Sequence, residues 1–488
     1  MSQHVTRHAN IFAMEHNLDQ FNLQSAYEAF MASLGLSHLA SASDVLLSGQ
    51  DPVLASPHRI ASAASIAAAA HGCVIDSVWH ARTGRRQQIR IHTDEAVNIL
   101  NSTYFLQQNG YRIGMGSGNY HEPLNTFFRT KDHWFRFVGS RPSHRDIILN
   151  ELRCANTRTA IAQATASMNA LDLEDRCAEL GVPGVIARSR QEWRAHPQGK
   201  HLNTLPPVQI IKLEDQSQPA PLQAAARPLS GIRVLDMTHV LAGPASTRTL
   251  AAQGAQVLRV TSPSSAPDPL YMAIDTGFAK RNAFADLNQP SDMKAVKSLV
   301  AGSDVFVQSY RHGSLEARGL SPENLMAIRP GLIYVSISCY GDGPWESRPG
   351  FDPNAVTATG ISLDEAREGV PSLPVTTLLT DFLTGYLAAT GIVAALLRRA
   401  QEGGSYHVKV SLARSAMWVQ DLGLLPAAMY AGRPAQFSPS TKLATMPSAF
   451  GTIGYLAPVP HYSETQARWD SPPRPLGESL LKWPVDKE

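Results

Sequence analysis

Asp381 heads the stretch LLTDFLTGYLAATGIVAALLRR (Leu378–Arg399), and the sixteen residues after it, Phe382–Leu397, carry no charge. A single carboxylate set against such a run has two uses. Aspartate is a preferred N-cap of a helix, where its side-chain oxygen accepts a first-turn N–H. It can also serve as a nucleophile that carries a covalent intermediate. Spacing alone leaves both open. Other polar residues with a claim to chemistry fall directly after apolar runs: His239–Ala242, Ser309-Tyr310-Arg311 and Cys339-Tyr340-Gly341. Cys73, Cys154, Cys177 and Cys339 are scattered, with neither C-x-x-C spacing nor a nearby histidine set. They fit reduced thiols in a cytosol-like compartment, so neither a disulfide framework nor a metal site is expected.

The apolar runs are the elements that must position these side chains. IRVLDM (Ile232–Met237), AQVLRV, DVFVQ (Asp304–Gln308) and LIYVSIS (Leu332–Ser338) read as buried strands. GPASTRTLAAQG opens a helix at Gly243-Pro244, and helical patterns follow near Asp292–Val300 and Pro322–Ile328. Such alternation implies an α/β fold with a parallel, doubly wound (Rossmann-like) sheet. Ligands of such sheets bind outside the carboxyl ends of the strands. No G-x-G-x-x-G follows the first strand and no G-x-x-x-x-G-K-[ST] occurs, so dinucleotide and P-loop sites are not supported.

The chain also resembles itself. RIASAASIAAAAHGCVIDSVWHARTGRRQQIRIHTDEA, from Arg59, and the Asp381 segment each run from an Ala-rich helix through a Gly turn into a short strand. Gly84 aligns with Gly403 and QIRI (Gln88–Ile91) with HVKV (His407–Val410); the offset, 403 − 84 = 319, sets Ser62 opposite Asp381. Between the copies, FFRTKDHWFRFVG (Phe127–Gly139) reads as a hairpin in which His133 and Trp134 pack, with helices near Arg145–Asn156 and Ala160–Leu180. MGSGN (Met115–Asn119) reads as an ordinary loop. These patterns predict a first unit over 1–213 with a partial repeat and a smaller α+β domain, a Pro/Gln/Ala-rich linker over 214–231, and a sheet domain with a C-terminal tail over 232–488.

With 43% hydrophobic and 17% charged residues and a formal net charge of +2, the composition is that of a soluble globular protein without an electrostatic footprint for nucleic acid. No charge-free apolar run reaches the roughly 20 residues of a membrane span. The first residues, MSQHVTRHANIFAMEHNLDQ, lack a signal-peptide core. A cytoplasmic location is expected, with mitochondrion or peroxisome as alternatives.

The strand-end motifs carry a resemblance. PLSGIRVLDMTHVLAGPASTRTLAAQGAQVLRV, AKRNAFADL, SDVFVQSYRHGSLEARGLSPENL, RPGLIYVSISCYGDGPWESRPGFD and TDFLTGYLAATGIVAALLRR occur in one order over about Pro228–Ser415. Together they resemble class III CoA-transferases, the family of carnitine, bile-acid and formyl-CoA transferases and of 2-methylacyl-CoA racemases. YLAPVPHYSETQARWDSPPRPLG resembles that family's tail, and residues 80–200, with GVP and HPQG, its small domain, here in permuted order behind the partial repeat.

The resemblance implies that Asp381 is the nucleophile of an acyl-CoA:carboxylate CoA-transferase. A carboxylate attacks the thioester to give a mixed anhydride, CoA reopens it to an enzyme thioester, and an acceptor acid reverses the steps. A helix N-terminus would favour the ionised carboxylate by about 0.3–1 kcal/mol. Coenzyme A is then a substrate, with no cofactor held permanently. The partners are an acyl-CoA, a carboxylic acid and a second copy in a homodimer, not nucleic acid or membrane. The CoA-contacting positions implied are Leu241, Ala242, Lys280, Arg281, Ser309, Tyr310, Arg311, Arg318, Phe351 and Asp352. Racemases carry Gly-His-Asp where this chain has Gly350-Phe351-Asp352, which favours transfer over α-proton chemistry. Thr261-Ser262, Gln308-Ser309 and Glu402–Tyr406 depart from the family pattern. A racemase, isomerase or dehydratase of the same superfamily, or a non-catalytic relative, are the alternatives.

Overall fold

The computed structural model describes residues 21–114, 122–213, 215, 217–264, 267–435 and 442–484; Met115–Asn119, expected to be a loop, lies outside them. A strand, β1 (Asp44–Ser48), leads into a 24-residue helix, α1 (Ile60–Thr83), and a second strand, β2 (Gln88–His92). The helix is apolar on every side and is accordingly buried along most of its length. Gly84, at φ 73°, closes it in the left-handed conformation that lacks a Cβ penalty.

The next unit is a three-stranded antiparallel sheet of β3 (Phe127–Arg129), β4 (Trp134–Phe137) and β5 (Gly184–Ile186), with α2 (Pro142–Leu152) between β4 and β5. The hairpin expected from the sequence is β3–β4. The helix expected over Ala160–Leu180 is two, Arg158–Thr165 and Ala170–Glu179, because the Asn169 side chain accepts from Leu171 N and Asp172 N and starts a new helix.

The large sheet begins with β6 (Gln209–Leu213) and continues through β7 (Arg233–Met237), β8 (Gln256–Thr261), β9 (Lys280–Phe284), β10 (Val305–Gln308), β11 (Ile333–Ser338) and β12 (Ser405–Ser411). Its spatial order is β9-β8-β7-β10-β11-β12-β6. Six strands are parallel, and β6, from before the linker, lies antiparallel on β12 with Tyr406 opposite Lys212. Side chains alternate between the faces. Val234, Val257, Val305 and Val335 point to one core, which includes residues of α3 (Ala242–Ala251), α7 (Leu379–Glu402) and α1. Leu235, Leu258, Phe306 and Tyr334 point to another, which includes residues of α4 (Pro290–Ala301) and α5 (Pro322–Ile328). Burial on both faces is why these strands read as unbroken apolar runs. Strand β9, KRNAF, does not, and no strand is expected there from its sequence.

A further helix, α6 (Asp352–Thr359), precedes α7, and α8 (Leu412–Asp421) follows β12. The first part of the chain builds the same edge. Helices α1 and α7 are both 24 residues long, offset by 379 − 60 = 319 at the start and 402 − 83 = 319 at the end. β1 runs parallel to β2 as β11 does to β12. A tail strand, β13 (His461–Tyr462), lies antiparallel on β2 as β6 lies on β12. Both long helices have the length and apolarity to cross a membrane, and the apolar stretch of each is buried inside the protein.

Close approach of α7 to α3 depends on Gly385, where an added Cβ would lie 2.9 Å from the Ala242 carbonyl and 3.0 Å from the Ala245 Cβ. Gly385→Val is expected to overpack this contact and cost about 1–3 kcal/mol, measured as a loss of unfolding free energy in denaturant.

Candidate active site

The carboxyl ends of the parallel strands open onto a cleft of about 960 Å³. It lies where the strand order reverses, between β7 and β10, the place at which such sheets bind ligands. Its walls are the loop after β7 (Thr238–Gly243), the loop after β10 (Ser309–Ser314) and the ends of β8, β9 and β11. Phe351 and Asp381 line it too, and Arg141 and His144 reach it from the start of α2.

Asp381 is not the cap of its helix. It is the third residue of α7, one turn before Gly385 and on the same face. The cap is supplied by Asp352, 29 residues upstream of Asp381. Its Oδ2 accepts from Thr380 N and Thr380 Oγ1, each at 2.6 Å, and from Asp381 N at 3.2 Å. With those donors taken, the Asp381 side chain is left to the cleft. Burial first, and Asp352 second, hold its pKa well above the usual carboxylate range. The helix start was expected to favour the ionised form; desolvation outweighs that contribution. Asp352 itself is fully buried, with Oδ1 unpartnered among the described residues, and burial raises it to about 6.

The start of α1 repeats the cap without the second carboxylate. Asp51 accepts from Ala61 N at 3.1 Å and Ser62 N at 2.7 Å. Each capping aspartate precedes a proline, Pro52 or Pro353, and Ser62 stands where α7 has Asp381.

Five of the other expected residues form the cleft wall with Phe351. Leu241 and Ala242 begin α3, which has no side-chain cap. The preceding Val240 holds φ at 64°, a strained value for a β-branched residue, with its N–H on Asp268 Oδ2 at 2.9 Å. Ser309 fastens the two loops by accepting from His239 N at 3.2 Å. Tyr310 packs edge-on to the His239 ring at 5.0 Å. Arg311 reaches the α2 unit, donating to the Gly181 carbonyl at 2.8 Å and lying 3.3 Å from His144 Nε2.

Four expected contacts are not in the cleft lining. Lys280 is fully buried, 2.9 Å from Asp236, and donates to the Pro244 carbonyl and Thr247 Oγ1; burial lowers its pKa to about 8. It ties β9 to β7 and the start of α3, so its role is to hold the loop and not to touch a ligand. Arg281 and Arg318 are exposed elsewhere, and Arg318 donates to Asn288 Oδ1. Asp352 stands behind Asp381.

Arg259, Asp268, Arg141 and His144 were not found from the sequence. Arg259 pairs with Asp268 at 2.7 Å under the β7 loop; a cation inside the apolar run AQVLRV was the available signal. Arg141 and His144 carried none, because they come from another module.

Residues 229–452 match the model of CoA-transferase family III, and this span contains the sheet loops, Phe351, Asp352 and Asp381. Over this stretch, a little under half of its length, the chain is similar to CoA-transferase family III. It is 35% identical over 251 residues to the acetyl-coenzyme A transferase nodX of Hypoxylon pulicicidum, covering 48% of this chain and 42% of that one. It is 31% identical over 308 residues to an acyl-CoA transferase of Gibberella moniliformis, covering 57% and 53%. To the succinyl-CoA:glutarate CoA-transferase of Mus musculus it is 35% identical over 202 residues, covering 39% and 46%. The chain thus spans about half the length of these curated relatives. Arg141 and His144 lie outside the family III match.

The raised pKa of Asp352 has a sign. A carboxyl held above its unfolded value of roughly 3.9 adds stability at pH below that value and loses it as pH rises through about 6. Asp352→Asn keeps one acceptor oxygen and removes the titration. Melting temperatures from pH 4 to 8 should therefore fall less steeply in Asp352→Asn than in the natural protein.

Proposed function

We propose that the chain is an acyl-CoA:carboxylate CoA-transferase with Asp381 as nucleophile. The observation that carries the reading is the division of labour at the start of α7: Asp352 caps the helix, and Asp381 is left desolvated in the cleft. A carboxylate with little solvation attacks readily. Asp381 adds to the thioester carbonyl, the C–S bond breaks, and CoA leaves as thiolate from a mixed anhydride. CoA then attacks the Asp381 carbonyl, releasing the acyl group as its acid and leaving an enzyme–CoA thioester. An acceptor acid runs the same bonds backwards and leaves as its CoA ester. The first N–H groups of uncapped α3 are suited to the oxyanion of each step. Arg311 and Tyr310 are suited to the CoA phosphates and adenine.

The racemase alternative needs a base at the substrate α-carbon. Phe351 is not one. His144 lies beside it, ring centroids 6.2 Å apart, but its Nε2 faces the Arg311 guanidinium. That donor takes the lone pair a base would need.

The matched offsets, the paired Asp-Pro caps and the two antiparallel edge strands support a partial duplication. In this reading the first copy kept the cap, lost the nucleophile and became structural. The large sheet is then the doubly wound CoA-binding domain, and the β3–β5 unit the small domain. One active site per chain follows, with a homodimer as the expected assembly and a cytoplasmic location.

Incubation with a panel of acyl-CoAs and intact-mass analysis tests the mechanism. A CoA adduct should form and map to Asp381. Asp381→Ala and Asp381→Asn should lose the adduct and turnover, while Ser62→Ala keeps both. Near-normal turnover in Asp381→Asn would sink the proposal. In deuterated water no solvent deuterium should enter the α-carbon of recovered acyl-CoA; rapid incorporation dependent on Asp381 would favour the racemase.

A further inference from the structure

We infer that the start of α2 is a carboxylate subsite of the cleft, in which Arg141 holds a carboxylate of the acid that accepts CoA. The inference rests on the transferase reading and adds to it the residues that select the acceptor. Helix α2 is 11 residues long, and its N-cap, Arg141, makes no side-chain capping bond. The Arg141 side chain lines the cleft and is 30% exposed. Asp268 lies 3.9 Å from it and is already engaged at 2.7 Å by Arg259. The Arg141 guanidinium is therefore weakly paired.

His144, one turn along the same helix, lines the same cleft and is only 9% exposed. Its Nε2 lies 3.3 Å from Arg311 Nη2. A guanidinium can only donate, so Nε2 accepts and the proton of the neutral ring sits on Nδ1. Nδ1 has no partner among the described residues. A helix N-terminus, a weakly paired guanidinium and an unmatched buried N–H all favour an anion. The chemistry requires one here. To attack the Asp381–CoA thioester, the acceptor must bring an anionic oxygen into a cleft already lined by the Asp268 carboxyl. Its oxygen bonds to the Asp381 carbonyl carbon, the C–S bond breaks, and CoA departs as thiolate, so negative charge is conserved and needs a cation nearby. Arg141 supplies it from the module that the family match does not cover.

The shared chemistry is a carboxylate, and two acids separate its possible sources. Calorimetric titration of butanoate and butanedioate into the full chain should show binding that Arg141→Ala weakens by about tenfold or more, with Arg141→Lys intermediate. Loss for both acids assigns Arg141 to the reacting carboxylate; loss for butanedioate alone assigns it to the distal one. In turnover the change should fall on the KM for the acid, with the KM for acyl-CoA moved far less. Unchanged binding of both acids in Arg141→Ala, or no binding of either by the natural protein, overturns the inference. Failure of every acyl-CoA to form the Asp381 adduct would instead remove the transferase reading, and the titration would still report on the subsite.

Discussion

The cleft depends on one capping interaction made from a distance. Helix α7 must start inside the protein, where first-turn N–H groups cannot be left to water. Asp352 satisfies two of them and the Thr380 hydroxyl with a single oxygen. Because the capping carboxylate comes from another helix, α7 does not use its own aspartate for that purpose. The two carboxyls then share one poorly solvated region, and each raises the cost of ionising the other. A group that would be an ordinary surface acid elsewhere is thereby held well above the usual carboxylate range.

The rest of the molecule holds this arrangement in register. The reversal of strand order between β7 and β10 opens the crevice, and the buried Asp236–Lys280 pair fixes the β7 loop that forms one wall. Gly385 lets α7 approach the start of α3, and Asp381, one turn earlier on α7, lines the same cleft as Leu241 and Ala242. Arg311 and His144 join the sheet to the β3–β5 unit across the cleft. The edge built by β1, α1 and β2 repeats the cap through Asp51 with Ser62 in place of the acid, which separates the part of the motif that folding needs from the part that chemistry would need.

Much of this was legible in the sequence, and the failures have physical causes. Strands β7, β8, β10 and β11 announce themselves because both faces are buried. Strand β9 does not, since its Lys280 is buried through an ion pair with a residue far away in the chain. The spacing that set Asp381 at the head of α7 could not distinguish cap from nucleophile, because the competing cap comes from Asp352, outside the helix. Surface bases were expected to meet CoA; of Lys280, Arg281, Arg311 and Arg318, only Arg311 lines the cleft. Arg141 and His144 enter through packing between modules, and no local pattern records that.

The central claim is that Asp352 caps the helix and so leaves Asp381 desolvated and hard to ionise. Carbon-13 NMR of aspartate carboxyl carbons, with the Asp381 signal assigned by its loss in Asp381→Asn, measures this directly. The account predicts that Asp381 titrates well above the usual carboxylate range, and that the midpoint falls when Asp352 becomes Asn. An Asp381 midpoint near the ordinary value of roughly 3.9, unmoved by Asp352→Asn, would contradict it.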